Sequence, residues 1–159
     1  MRVIIAAVGR PRDQALAAAI RDYETRAARY WPLEIIEVKG ERADPSTSAS
    51  AAAAAVRVRE GARLRDRIGA TAAIVACDAS GKSMSSEDFA AWLMAAREKA
   101  HDVAFVIGGA FGLEDRLRDG AHLRLSLAPW TLPHEVARLV LAEQIYRAGT
   151  IIRGEPYHK

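Results

Sequence analysis

The chain has 159 residues, half of them apolar and 27% charged. That is enough for one domain with its own core and too hydrophobic for a disordered chain. A single cysteine excludes an intrachain disulfide framework and a cysteine-only zinc site, and no apolar run nears the ~18 residues of a membrane helix.

The net charge is only +3, but it is uneven. Residues 1–67 hold 13 basic and 9 acidic side chains, and residues 68–159 hold 10 and 11. Arginine outnumbers lysine 19 to 4, with five arginines at Arg57, Arg59, Arg63, Arg65 and Arg67. The planar guanidinium fork suits phosphate. The same cluster also reads as an ordinary solvated helix face.

Val3–Val8 is a short apolar, β-branched run ended by Gly9-Arg10-Pro11, the pattern of a buried parallel strand. It is too short for a signal-peptide core, so a cytoplasmic protein is expected. Asp13 is placed to cap a helix in which Leu16, Ala19, Ile20, Tyr23 and Ala27 recur, and Trp31-Pro32 ends it. Leu33–Lys39 alternates as a strand with one wet face, and Gly40–Ser48 is a polar loop. Ala49–Arg67 reads as a helix with Gly61 as its weak point.

Thr71–Cys77 is a third strand, followed by a loop over 78–82. Ser85 to Asp88 supplies a cap and first-turn carboxylates for a helix to about Lys99. Val103–Ile107 is a fourth strand ended by Gly108-Gly109, a short helix spans about 114–119, and His122–Leu127 is a fifth strand. Ala128–Leu132 is a loop. Pro133 opens the last helix, with Val136, Leu139, Val140 and Ile145 as its apolar stripe. Residues 151–159 form a polar tail, expected to be mobile. Alternating strands and helices argue for an α/β fold with a mostly parallel sheet and helices on both faces. Such sheets bind ligands in loops at the carboxyl ends of their strands.

Those loops hold the candidate chemistry. Gly108-Gly109-Ala110-Phe111-Gly112 lets a backbone approach a ligand closely, or it is a tight strand-to-helix turn. Its spacing is not that of a dinucleotide fingerprint, and no phosphate-loop lysine follows. The segment from Leu125 to His134 carries two prolines, so it presents backbone donors and acceptors rigidly, or it is a plain connector. Glu143 and Arg147 are spaced i,i+4, most simply a surface pair. The histidines at 101, 122, 134 and 158 lack metal-ligand spacing, so no metal is expected. Cys77 reads as a buried structural residue.

Taken together, Val106-Ile107-Gly108-Gly109 with Gly112-Leu113, Leu125-Ser126, Thr131-Leu132-Pro133-His134, Arg138, Glu143-Gln144, Tyr146-Arg147-Ala148 and Pro156-Tyr157-His158-Lys159 form a distinctive set. Earlier matches are Ala7-Val8-Gly9, Tyr23-Glu24, Ile36-Glu37-Val38, Glu60-Gly61, Gly81-Lys82 and Ser85-Ser86-Glu87. The whole chain resembles the ribosomal RNA large subunit methyltransferase H family, the pseudouridine N3-methyltransferases of the SPOUT superfamily.

The resemblance implies a single SPOUT-type domain over 1–159, with a C-terminal deep trefoil knot at about 103–150 and a tail at 151–159. It implies S-adenosylmethionine as cofactor, held by Cys77, Gly108, Leu127, Ala128, Pro129, Trp130, Thr131 and Leu132. It further implies a homodimer with an active site built from both protomers, and 23S ribosomal RNA, in the large subunit or the assembled ribosome, as partner. Cys77, the Ala110-Phe111 pair and Trp130 depart from the residues usual in the family.

Methyl transfer to N3 of a pseudouridine requires loss of an imide proton, so a base or a stabilising cation is needed. His158 is the candidate base, Arg147 orients the base or a phosphate, Glu143 holds Arg147, and Tyr157 stacks on the nucleobase. Arg57 to Arg67 and Arg138 are candidate phosphate contacts. Two other readings stay open: a SPOUT methyltransferase acting on another RNA, and a non-enzymatic nucleotide- or RNA-binding α/β module.

Overall fold

The computed structural model describes residues 1–158, with only the backbone of His158. In chain order the elements are β1 (Val3–Val8), α1 (Gln14–Ala27), β2 (Leu33–Val38), α2 (Ala49–Ile68), β3 (Ala73–Ser83), α3 (Ser86–Glu98), β4 (Val103–Ile107), α4 (Asp115–Asp119), β5 (Leu123–Ser126) and α5 (His134–Ile152). A 3₁₀ turn over Pro156–His158 follows.

The strands form one sheet in the order β2-β1-β4-β3-β5, every pair parallel. All residues of β1 and β4 are buried, because these inner strands are covered on both faces. Each face has its own core. On one side Ile5, Val75 and Phe105 pack with Trp31, Leu93, Leu141 and Ile145 beneath α1, α3 and α5. On the other, Ile4, Ala6, Ala104 and Val106 pack with Leu64, Ile68 and Leu117 of α2 and α4.

Three of the five α-helices start at a side-chain cap. Asp13 accepts the Leu16 N–H at 2.8 Å, Ser48 accepts that of Ala51 at 3.4 Å, and Ser85 accepts that of Asp88 at 3.0 Å. Each satisfies one of the four donors that a helix start leaves free.

Three expectations need correction. The segment 78–82 is not a separate loop after β3, because β3 continues to Ser83. Leu125 of β5 is paired first with Cys77 and then with Lys82, so residues 78–81 bulge out of a continuing strand. The return is tight: a Cβ at Gly81 would stand 2.6 Å from the Arg124 carbonyl carbon.

The apolar stripe of α5 is also different. Its buried face includes Ala137, Leu141, Ala142, Ile145 and Ala148; the three alanines are the small residues that let α5 lie close to its neighbours. Of the expected stripe, only Ile145 belongs to it. Val136, Leu139 and Val140 are half-buried, on flanks that the neighbouring helices do not cover. Finally, Gly61 is a packing position rather than a weak point, since a Cβ there would stand 2.7 Å from Cβ of Glu114.

Candidate active site

The bulge of β3 and the carboxyl ends of β4 and β5 open onto one cavity of about 590 Å³, within the range of small-molecule sites. β3 contributes Cys77, Asp78 and Ala79. The end of β4 contributes Gly108 and Gly109, with Gly112 and Leu113 beyond the turn. The connection from β5 contributes Leu127, Ala128, Trp130, Thr131 and Leu132, and α5 begins at the rim with His134.

The glycine turn is held by its own backbone. The Gly112 N–H donates to the Gly109 carbonyl at 3.0 Å, and Gly112 takes a φ of +81°, which favours glycine. A Cβ at Gly108 would stand 2.5 Å from the Gly112 carbonyl carbon. Only glycine lets the turn close there.

The eight residues expected to hold a cofactor are brought together with one exception. Cys77, Gly108, Leu127, Ala128, Trp130, Thr131 and Leu132 line the cavity, and Pro129 does not. Asp78 and His134 line it as well, although neither was singled out as a site residue. Their signal was position: one follows the buried run of β3 and the other opens the last helix after Pro133. Ser80 donates to Asp78 through its hydroxyl at 2.5 Å and its N–H at 2.8 Å, holding the Asp78 carboxyl below its usual range. Burial pushes the Cys77 thiol up to about 12, so it is not a thiolate nucleophile. Trp130 is 75% exposed beside the cavity.

The other candidates gather elsewhere. Arg147 donates to Glu143 Oε1 from Nε at 2.9 Å and from a terminal nitrogen at 2.6 Å. Tyr157 donates to the same oxygen at 3.1 Å, and its hydroxyl lies 3.3 Å from that of Tyr23. Its ring meets Tyr146 at 4.6 Å, with the Arg147 guanidinium 4.9 Å from its centroid. Burial first, then the Tyr23 hydroxyl and Glu143, push the Tyr157 phenol well above its usual range, so it stays protonated. The expected mobile tail is therefore corrected: Tyr157 and the hydrogen bond from Tyr30 to Glu155 tie it to α1 and α5. Tyr157 already has an aromatic and a cationic neighbour, which leaves its ring only partly free to stack on a base. The side chain of His158 lies outside the described residues.

The cavity and this cluster are apart within one chain. At about 1.5 Å rise per residue, Glu143 lies ~13 Å and Arg147 ~20 Å along α5 from His134.

Two arginine expectations change. Arg138 is 5% exposed and donates to Glu24 at 2.8 Å and Glu37 at 2.7 Å, so it is a buried structural cation and not a phosphate contact. On α2, Arg59 and Arg63 pair with Glu41, and Arg65 pairs with Glu114. Of the five clustered arginines, only Arg57 and Arg67 have no ion pair among the described residues.

A parallel α/β sheet with a glycine-turned cavity at its strand ends defines a small-molecule-binding α/β domain. Comparison with known proteins makes this specific. A family model described as "Predicted SPOUT methyltransferase" matches residues 1–158, and the chain belongs to that family. A ribosomal RNA large subunit methyltransferase H from Gemmatimonas aurantiaca is 62% identical over all of both chains. Its namesake from Acetivibrio thermocellus is 42% identical, again over all of both chains. A crystal structure of a methylase family protein from Neisseria gonorrhoeae aligns at 15% identity with a TM-score of 0.50, covering 91% of this chain and 80% of that one, a likeness of fold. No described helix is long and apolar enough to cross a membrane.

Proposed function

We propose that this protein is a cytoplasmic, S-adenosylmethionine-dependent methyltransferase that acts on N3 of a pseudouridine in 23S ribosomal RNA, as a homodimer. The observation that carries the reading is the cavity at the bulge of β3 and the ends of β4 and β5, in a chain 62% identical to a relative named for ribosomal RNA methylation. We take the whole chain as one domain, with the trefoil knot over about 103–150 and the tail completing the site.

The cavity's chemistry fits the cofactor. Backbone of the Gly108 turn and of Leu127–Leu132 offers fixed donors and acceptors for an adenine edge, and Leu127 and Leu132 offer apolar walls. Asp78, kept ionised by Ser80, offers a carboxylate for sugar hydroxyls or a positive sulfonium. When bound, the cofactor supplies an electrophilic methyl group whose leaving group is a neutral thioether. Since that departure needs no acid, this chain's task is to position the base and remove its N3 proton.

Glu143 fixes Arg147 through two hydrogen bonds, which presents a preorganised cation to the developing negative charge or to a phosphate. His158 follows Tyr157 directly and is the base we assign, because histidine is the side-chain type best suited to proton transfer at neutral pH.

A dimer reconciles the separated parts. Val136, Val140, Glu143 and Arg147 follow one another at three- and four-residue spacing, so they share a face of α5. That face is half-buried. Two such helices packed antiparallel across a two-fold axis would carry the Glu143–Arg147–Tyr157 cluster of one protomer toward the cavity of its partner. The test is size-exclusion chromatography with light scattering, alongside complementation of a cavity-defective variant by a cluster-defective one. A dimer with restored activity in the mixture supports the composite site. A monomer with full activity overturns it.

A further inference from the structure

Helix α2 carries a carboxylate where its core stripe calls for an apolar residue. Val56, Glu60, Leu64 and Ile68 recur every four residues, and Glu60 is 3% exposed among them. Its Oε1 accepts the Glu41 N–H at 2.9 Å. Its Oε2 is buried with no hydrogen-bond partner among the described residues. A buried, half-satisfied carboxyl is costly in a fold, and burial raises its pKa above the ordinary value.

What lies against Oε2 gives it a purpose. A Cβ at Gly109 would stand 2.8 Å from Oε2 and 3.0 Å from a methyl of Val8. Gly109 also lines the cavity, so the glycine turn is backed by this carboxyl on the side of α2. One residue on, Gly61 lets α2 close against Glu114, which Arg65 of the same helix holds by an ion pair. Helix α2 thus grips the segment 108–114 at both ends.

We propose that Glu60 is a positioning residue for the cofactor cavity: its carboxyl, fixed by the Glu41 N–H, sets where the Gly108–Gly109 turn stands. This rests on the reading of the cavity as the S-adenosylmethionine site. It acts through shape and hydrogen bonding, so the neutral isostere Gln serves in its place while Ala does not.

The test is calorimetric binding of S-adenosylmethionine to the purified protein, with thermal melting to confirm folding. E60Q should bind within about twofold of wild type, and E60A about tenfold more weakly, as expected when a supporting group is lost. The φ of Gly109 lies outside the left-handed region, so G109A strains no backbone and acts through its contacts. It should bind about tenfold more weakly, and E60A/G109A no more weakly than the worse single variant. Folded E60A binding as wild type, E60Q losing as much as E60A, or losses that multiply in the double variant would each overturn the proposal. Wild type that binds no S-adenosylmethionine would instead overturn the cofactor reading.

Discussion

The Tyr157 hydroxyl donates to Glu143 Oε1 at 3.1 Å, joining the last turn of the chain to the middle of α5. Glu143 therefore serves two partners, Arg147 and Tyr157, with one oxygen. Deleting 157–159 removes one of them and the assigned base together. We expect methyl transfer to fall by at least about 100-fold, the scale of general-base catalysis, with S-adenosylmethionine affinity unchanged in calorimetry. H158A should behave alike. Near-normal turnover in either variant would remove the tail from the mechanism.

Arg138 is the buried centre of an ion triad with Glu24 and Glu37. Its removal leaves the buried Glu24 without its cation and Glu37 with Arg10 alone. R138A should lose about 3–5 kcal/mol in urea denaturation, far more than R67A on the exposed face of α2. Equal losses would contradict the structural role.

The Glu60 carboxyl gives stability a pH dependence. Burial raises its pKa most and the Glu41 carboxylate adds to the rise, while the Glu41 N–H, Arg63 and Arg59 oppose it. A folded-state pKa above the unfolded value means a contribution present in full below the unfolded value of about 4.5 and lost as pH rises through the folded one. E60Q cannot ionise there. Denaturation midpoints of E60Q relative to wild type should therefore rise between about pH 4 and pH 8. A constant or falling difference would contradict a pKa raised by burial.

Cys77 lines the cavity with a thiol raised to about 12. At pH 8 almost none is thiolate, so alkylation of the native protein by iodoacetamide should be much slower than of the urea-unfolded chain. Equal rates would contradict the raised thiol pKa of this half-buried side chain.

Much of the fold was legible because its signals are local. β1 and β4 are unbroken apolar runs, and Asp13 and Ser85 stand where caps are expected. The bulge in β3 was not legible, because residues 78–81 look like any polar loop and the re-pairing of Lys82 with Leu125 is a long-range event. The stripe of α5 was misplaced because Val136, Leu139 and Val140 are more hydrophobic than Ala137, Ala142 and Ala148, which face the core beside Leu141 and Ile145.

The site divides in the same way. The cavity residues follow strand ends, which periodicity locates, whereas the pairing of Arg138 with Glu24 and the contact of Tyr157 with Tyr23 join residues more than 100 positions apart. Glu60 did leave a signal, a carboxylate within an apolar stripe, but its meaning emerges only when the glycine turn is seen against it.

The central claim is tested most directly by incubating the purified protein with S-adenosylmethionine carrying a labelled methyl group, ribosomes and isolated 23S RNA, followed by nucleoside mass spectrometry. The account predicts label in a single nucleoside of 23S RNA, N3-methylpseudouridine, and none after deletion of residues 157–159. Label in another RNA or on another nucleoside, or no transfer from a protein that binds the cofactor, would contradict it.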